Sequence, residues 1–153
     1  MQKSHQHGFT LIELIMVLAL VGVIASFSAA MSLSSLSKSA VMQERDLFVT
    51  LLLRGARAAS LANIGGTAHG VQIDNTNHQY ILFTGTTYTA GAASNRVIPY
   101  TNNTISITKN PPGETIVFEQ LSGNVTSGDG TLTVSNGNTS QSIIIRSNGQ
   151  IDW

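Results

Sequence analysis

The sequence predicts an α+β protein, in which one long N-terminal helix carries a head of antiparallel β-sheet. Three observations point there. An apolar run extends from Phe9 to Met31 and is broken by a single ionisable residue, Glu13. A helical spacing of apolar residues follows it, and no proline occurs before Pro99. After Gly66 the texture changes to short β-rich stretches separated by Gly, Asn, Ser and Thr.

Composition sets the outer limits. A chain of 153 residues allows one modest folded domain plus an appendage. Charged residues make up 10% and the formal net charge is zero, so no global field recruits nucleic acid or anionic lipid. The absence of cysteine excludes disulfides, thiolate metal sites and thiol nucleophiles.

Residues 1–8 are polar and slightly basic through Lys3. A secretory signal is cut after its apolar core, whereas the Gly8-Phe9 junction lies before it, so removal of residues 1–8 leaves the apolar segment attached. From Phe9 the run supplies about the 20 residues needed to cross a hydrocarbon core. Glu13 stands inside it. A carboxylate at membrane depth costs roughly 2.5 to 3.5 kcal/mol on insertion scales, so it needs a partner or a task.

Beyond Met31 serines dominate and Lys38 is the first cation, which marks the helix leaving the apolar phase. From Val41 to Ala62 apolar residues recur at Val41, Phe48, Leu52, Ala59 and Ala62, with Leu47, Leu51 and Ala58 alongside. These spacings define one helical face, with Glu44, Arg45, Asp46, Arg54 and Arg57 mainly off it. Asn63 and Gly65-Gly66 supply the stop signal. The expected helix therefore runs from about Thr10 to Ala62, roughly 80 Å at 1.5 Å per residue.

In the head, alternation and β-branched enrichment predict strands over 68–74, 79–84, 104–109, 115–119, 131–135, 142–146 and 150–153. Turns are expected at 75–77, 110–113, 128–130, 136–138 and 148–149. Asn136-Gly137 and Asn148-Gly149 read as two-residue hairpin turns, because both residue types tolerate positive φ. Residues 88–95, rich in Thr, Ala and Gly, read as a mobile loop.

The stretch Gly8-Phe9-Thr10-Leu11-Ile12-Glu13 with its apolar continuation resembles the processing and anchoring motif of type IV pilins and the pseudopilins of type II secretion. The resemblance implies a pilin-like α+β fold. It also implies that a prepilin peptidase cuts after Gly8 and methylates the new amino terminus at Phe9. Glu13 then matches the glutamate that pairs with the terminal amine of a neighbouring subunit during assembly. Pairing two charges that are each costly in hydrocarbon relieves both costs. Gly22 matches the helix-weakening glycine of pilins, but Ala29-Ala30 stand in the region where many major pilins have a proline, which points to a minor subunit. The segment from Arg54 to Ala62, with Gly70-Val71 and Tyr80 to Phe83, is similar to the GspH/FimT-type minor pilins.

On this reading residues 1–8 are a cleaved leader, 9–33 a transmembrane and filament-core helix, 34–64 its amphipathic continuation and 65–153 the head. The implied setting is the inner membrane, crossed once, with the head in the periplasm before incorporation into a pilus or pseudopilus. Implied partners are the prepilin peptidase, other pilin subunits through the N-terminal helix, and the inner-membrane assembly platform. Small residues at Ala19, Gly22, Ala25, Ala29 and Ala30 permit close helix approach.

No enzyme is expected. His69 and His78 lack acidic companions at ligand spacing, no serine sits in a nucleophile elbow, and Gly65-Gly66-Thr67 ends a helix instead of opening one. Asp129 lies between two glycines as a plain turn residue. No cofactor or metal is expected. The alternative reading is a DNA-binding minor pilin of a natural-transformation machine, which some FimT-type relatives suggest. Phosphate binding requires clustered cations, and the head offers Arg96, Lys109 and Arg146, far apart in sequence. The segment from Arg146 to Trp153 lacks the basic motif of the DNA-binding group.

Overall fold

The structure is a computed structural model that describes residues 10–153, leaving out the side chains of residues 27–34. The chain divides into two units, Met1–Leu36 and Ser37–Trp153, with the boundary inside the first helix, α1 (Leu11–Leu47). In the first unit Leu11, Ile12, Leu14 to Leu18, Leu20, Val21, Val23 and Ile24 are all more than half exposed. Apolar side chains thus point outward on every side of this stretch. Among the described residues, no helix is long and apolar enough to cross a membrane, and the expected span over 9–33 includes residues outside that set.

In the second unit α1 runs without a break into a π-helical segment (Phe48–Leu53) and then α2 (Arg54–Leu61). The π segment changes the buried face. Its bonds reach one residue further than those of an α-helix, which rotates everything downstream by about 100°. Val49, Leu53, Ala56 and Ser60 are consequently buried, while Leu51, Ala58 and Ala62, expected on that face, are exposed. Asn63 ends the helix in the left-handed conformation (φ 54°), as the stop signal predicts.

Nine strands follow, in two antiparallel sheets. The first has the order β3 (Arg96–Pro99), β2 (Gln79–Thr84), β1 (His69–Asp74), β5 (Thr115–Phe118), β6 (Val125–Ser127). The second has the order β4 (Ser106–Asn110), β7 (Gly130–Ser135), β8 (Ser140–Ile145), β9 (Ile151–Asp152). Alternation builds the core. Val71, Ile73, Tyr80, Ile116 and Phe118 from the first sheet meet Ile107, Leu132, Val134, Ile143 and Ile145 from the second, together with Phe48, Leu52 and Leu53 of the helix.

Two strands escape the sequence signal. β3 is an edge strand whose Val97 is exposed, so it shows no apolar alternation, and β6 has only three residues. The two Asn-Gly hairpins also differ from expectation. At β7–β8 the central pair is Gly137-Asn138, with the Asn136 side chain accepting from the Thr139 N–H at 3.0 Å. At β8–β9 the Gly149 N–H bonds to the Arg146 carbonyl (2.8 Å) and the Arg146 N–H to the Gln150 carbonyl (2.9 Å), a three-residue loop that closes on Gly149 at φ 78°. Residues 88–95 form short turns, held by the Asn95 amide donating to the Thr89 carbonyl at 2.8 Å.

Candidate functional site

Gly8 and Phe9 lie outside the described residues. Glu13 stands in the first turn of α1, exposed. Its carboxylate accepts from the Thr10 N–H at 3.5 Å, and the Thr10 hydroxyl accepts from the Glu13 N–H at 3.3 Å. This reciprocal pair is a loose capping box, written in the sequence as Thr10-Leu11-Ile12-Glu13. Glu13 therefore has a local role at the positive end of the helix dipole, which stabilises a carboxylate there. One turn after Gly22, the Ser26 hydroxyl bonds back to the Gly22 carbonyl at 2.8 Å, and among the described residues nothing lies within 4 Å of where a Gly22 Cβ would stand.

The head contains a polar centre that sequence reasoning missed. Glu44, expected off the apolar face, is fully buried. Its carboxylate accepts from the Tyr80 hydroxyl (2.6 Å), the Thr101 N–H (2.8 Å) and the Thr101 hydroxyl. Burial, then the bond to Glu44, raises the Tyr80 pKa far above its ordinary value, so the phenol stays protonated as donor. Tyr80 packs between Phe48 (4.9 Å) and Tyr100 (4.5 Å). Burial, followed by the charge of Glu44, likewise raises the Tyr100 pKa. The Tyr100 hydroxyl donates to Asn75, whose amide pairs with both the N–H and the carbonyl of Ile107 like a strand residue. One network thus ties helix, first sheet and second sheet together.

A second tie sits at the helix end. The buried Ser60 hydroxyl donates to the Phe118 carbonyl and accepts from the His69 N–H, both at 2.9 Å. Ser60→Ala leaves two strand groups without partners and should lower stability by about 2 kcal/mol, measured by denaturant unfolding.

The three cations considered for DNA are not brought together. Arg96 opens β3 at the edge of the first sheet, Lys109 lies on β4 at one edge of the second, and Arg146 follows β8 toward the other edge. The Lys109 ammonium donates to the Pro111 carbonyl, and Arg146 pairs with Asp152 at 2.9 Å. That pair, with Gln150, holds the Asp152 carboxyl below its usual range. Among the described residues no three acidic or histidine side chains converge on a metal position. His78 occupies a left-handed turn position (φ 51°), edge-on to Tyr100, and Trp153 lies half-exposed beneath the Arg54 guanidinium at 4.2 Å.

Residues 3–29 match the family described as the prokaryotic N-terminal methylation motif. No curated protein matches the chain. Among solved structures, the type IV minor pilin FimU of Pseudomonas aeruginosa (strain PAO1) is similar in two crystal forms. The P21 form has a TM-score of 0.56 at 16% identity, covering 80% of this chain and 90% of that one. The P65 form has a TM-score of 0.55 at 15% identity, covering 75% and 90%. Motif and head agree with the pilin-like α+β architecture that the sequence predicts.

Proposed function

We propose, from the premise that the chain is type IV pilin-like in both its methylation motif and its fold, that it is a minor subunit of a type IV pilus. Prepilin peptidase cuts between Gly8 and Phe9 and methylates Phe9. Residues 9–33 hold the precursor in the inner membrane and later form its share of the filament core, and the assembly platform moves it from one state to the other. The observation that carries this reading is the first unit's helix, apolar on all sides and bearing one carboxylate, Glu13, within the methylation motif. Lipid and neighbouring helices are equivalent surroundings for such a helix, so assembly exchanges one for the other at little hydrophobic cost. The likeness to a type IV minor pilin favours a pilus over a secretion pseudopilus.

In the filament Glu13 gives up its loose bond to the Thr10 N–H for the methylated amine of a neighbour, a charged partner in a medium of low dielectric. Glu13→Ala should leave cleavage at Gly8-Phe9 intact while incorporation into sheared filaments falls about tenfold, the equivalent of roughly 1.4 kcal/mol. Immunoblots of precursor, mature and filament fractions report both quantities, and undiminished incorporation refutes the pairing. Deletion of the gene should remove surface piliation while exoprotein secretion and transformation continue; loss of secretion with piliation intact assigns the subunit to a pseudopilus instead.

A further inference from the structure

The helix-facing side of the first sheet holds an open cleft of about 140 Å³. It exists because α2 presents Gly55, Ala56 and Ala59 where larger side chains would fill the space, and its opposite wall carries His69, Leu82 and Arg96. The strand register explains that wall. Arg96 stands opposite Leu82, and Leu82 opposite the buried Val71. His69, two residues before Val71, shares their face. The floor is mostly apolar, since Ala56 is buried and Leu82 packs on the main core.

Two nitrogen groups at this cleft lack partners. Among the described residues nothing accepts a hydrogen bond from the exposed Arg96 guanidinium, whereas Arg45, Arg54, Arg57 and Arg146 are all engaged. His69 Nδ1 is buried with no partner. A buried N–H without an acceptor is the more costly alternative, so the neutral ring keeps its proton on Nε2. That leaves the Nε2–H as the donor of an imidazole that lines the cleft. A guanidinium and an imidazole N–H beside an apolar floor are complementary to one ligand class, a carboxylate attached to a small apolar group.

We propose that this cleft binds the carboxyl terminus of a partner polypeptide whose last residue is small and apolar. In a terminal residue the carboxylate and the side chain branch from one carbon. They can therefore reach Arg96 and the Leu82 floor together, because directly opposed positions on neighbouring strands lie only about 5 Å apart. An acidic side chain would carry its carboxylate away from the nearest apolar neighbour. The proposal is independent of the assembly reading, since it uses no residue of the first unit, Met1–Leu36.

The test is a titration of the full chain in detergent micelles with N-acetylvaline, followed by the NMR resonances of the Arg96 Nε–H and the His69 ring. N-acetylvaline should perturb both and bind at least about tenfold more tightly than either N-acetylvalinamide, which lacks the charge, or acetate, which lacks the apolar group. Arg96→Gln, on an exposed side chain, should weaken it about fivefold or more with the unfolding temperature unchanged. Ala59→Leu should fill the cleft and remove binding. Equal binding of the amide or of acetate, an unaffected Arg96→Gln variant, or no perturbation up to tens of millimolar overturns the proposal.

Discussion

Replacing Glu44 with alanine should lower the unfolding free energy of the head by about 3 kcal/mol, the range expected when a buried, hydrogen-bonded charge site is broken from one side. The side chain is fully buried, and no Lys or Arg among the described residues pairs with it. Its charge is held by dipoles alone, namely the Tyr80 hydroxyl and the hydroxyl and N–H of Thr101. Alanine leaves those donors facing a cavity in a region of low dielectric, where an unmade hydrogen bond costs most. Glu44→Gln keeps one oxygen acceptor and should cost about 1 kcal/mol, because one donor of the set then meets an amide N–H₂. Denaturant unfolding followed by near-ultraviolet tyrosine dichroism measures both. Equal losses for alanine and glutamine would show that the network does not depend on acceptor count. The loss should also appear in the anchoring of residues 100–104, since Thr101 is fastened to the helix through this carboxylate.

Gly149→Ala should be about as damaging, at about 3 kcal/mol or more, through two additive causes. The residue adopts φ 78°, a conformation that costs an L side chain about 1–2 kcal/mol. A Cβ there would lie 2.1 Å from the Gly123 carbonyl oxygen and 2.6 Å from Arg57 Nε, so the β8–β9 loop would have to lift off α2. Arg57 itself donates to that carbonyl at 3.2 Å, which makes the helix, the residue 119–124 loop and the β8–β9 loop one packed corner. Gly137→Ala is the internal comparison. Its φ is 86°, yet no atom lies within 4 Å of the added Cβ, so only the conformational cost of about 1–2 kcal/mol should appear. A Gly149 loss no larger than the Gly137 loss would show that the corner relaxes freely.

What could be read in the sequence was carried by local or periodic signals. Glu13 in an apolar run, the helical spacing up to the Asn63 stop, seven of the nine strands and the placement of the turns all depend on residues a few positions apart. The Thr10-x-x-Glu13 capping box was equally local and legible, but the apolar run drew the reading of Glu13 toward membrane depth and away from the helix end. The short edge strands were illegible because neither buries a clean alternating face.

The sequence by itself determined the methylation motif, the long helix and the α+β order, because periodicity and capping are properties of neighbouring residues. Tertiary structure alone decided that Glu44 is buried, that Ser60 joins α2 to both β1 and β5, that the π segment turns the buried face, and that Arg96, beside a cleft, finds no hydrogen-bond partner among the described residues. The physical reason is separation along the chain. Glu44 meets Tyr80 across 36 positions and Thr101 across 57, and Ser60 meets Phe118 across 58. A charged residue on a helix is read as solvated until the fold brings it the donors that make burial tolerable.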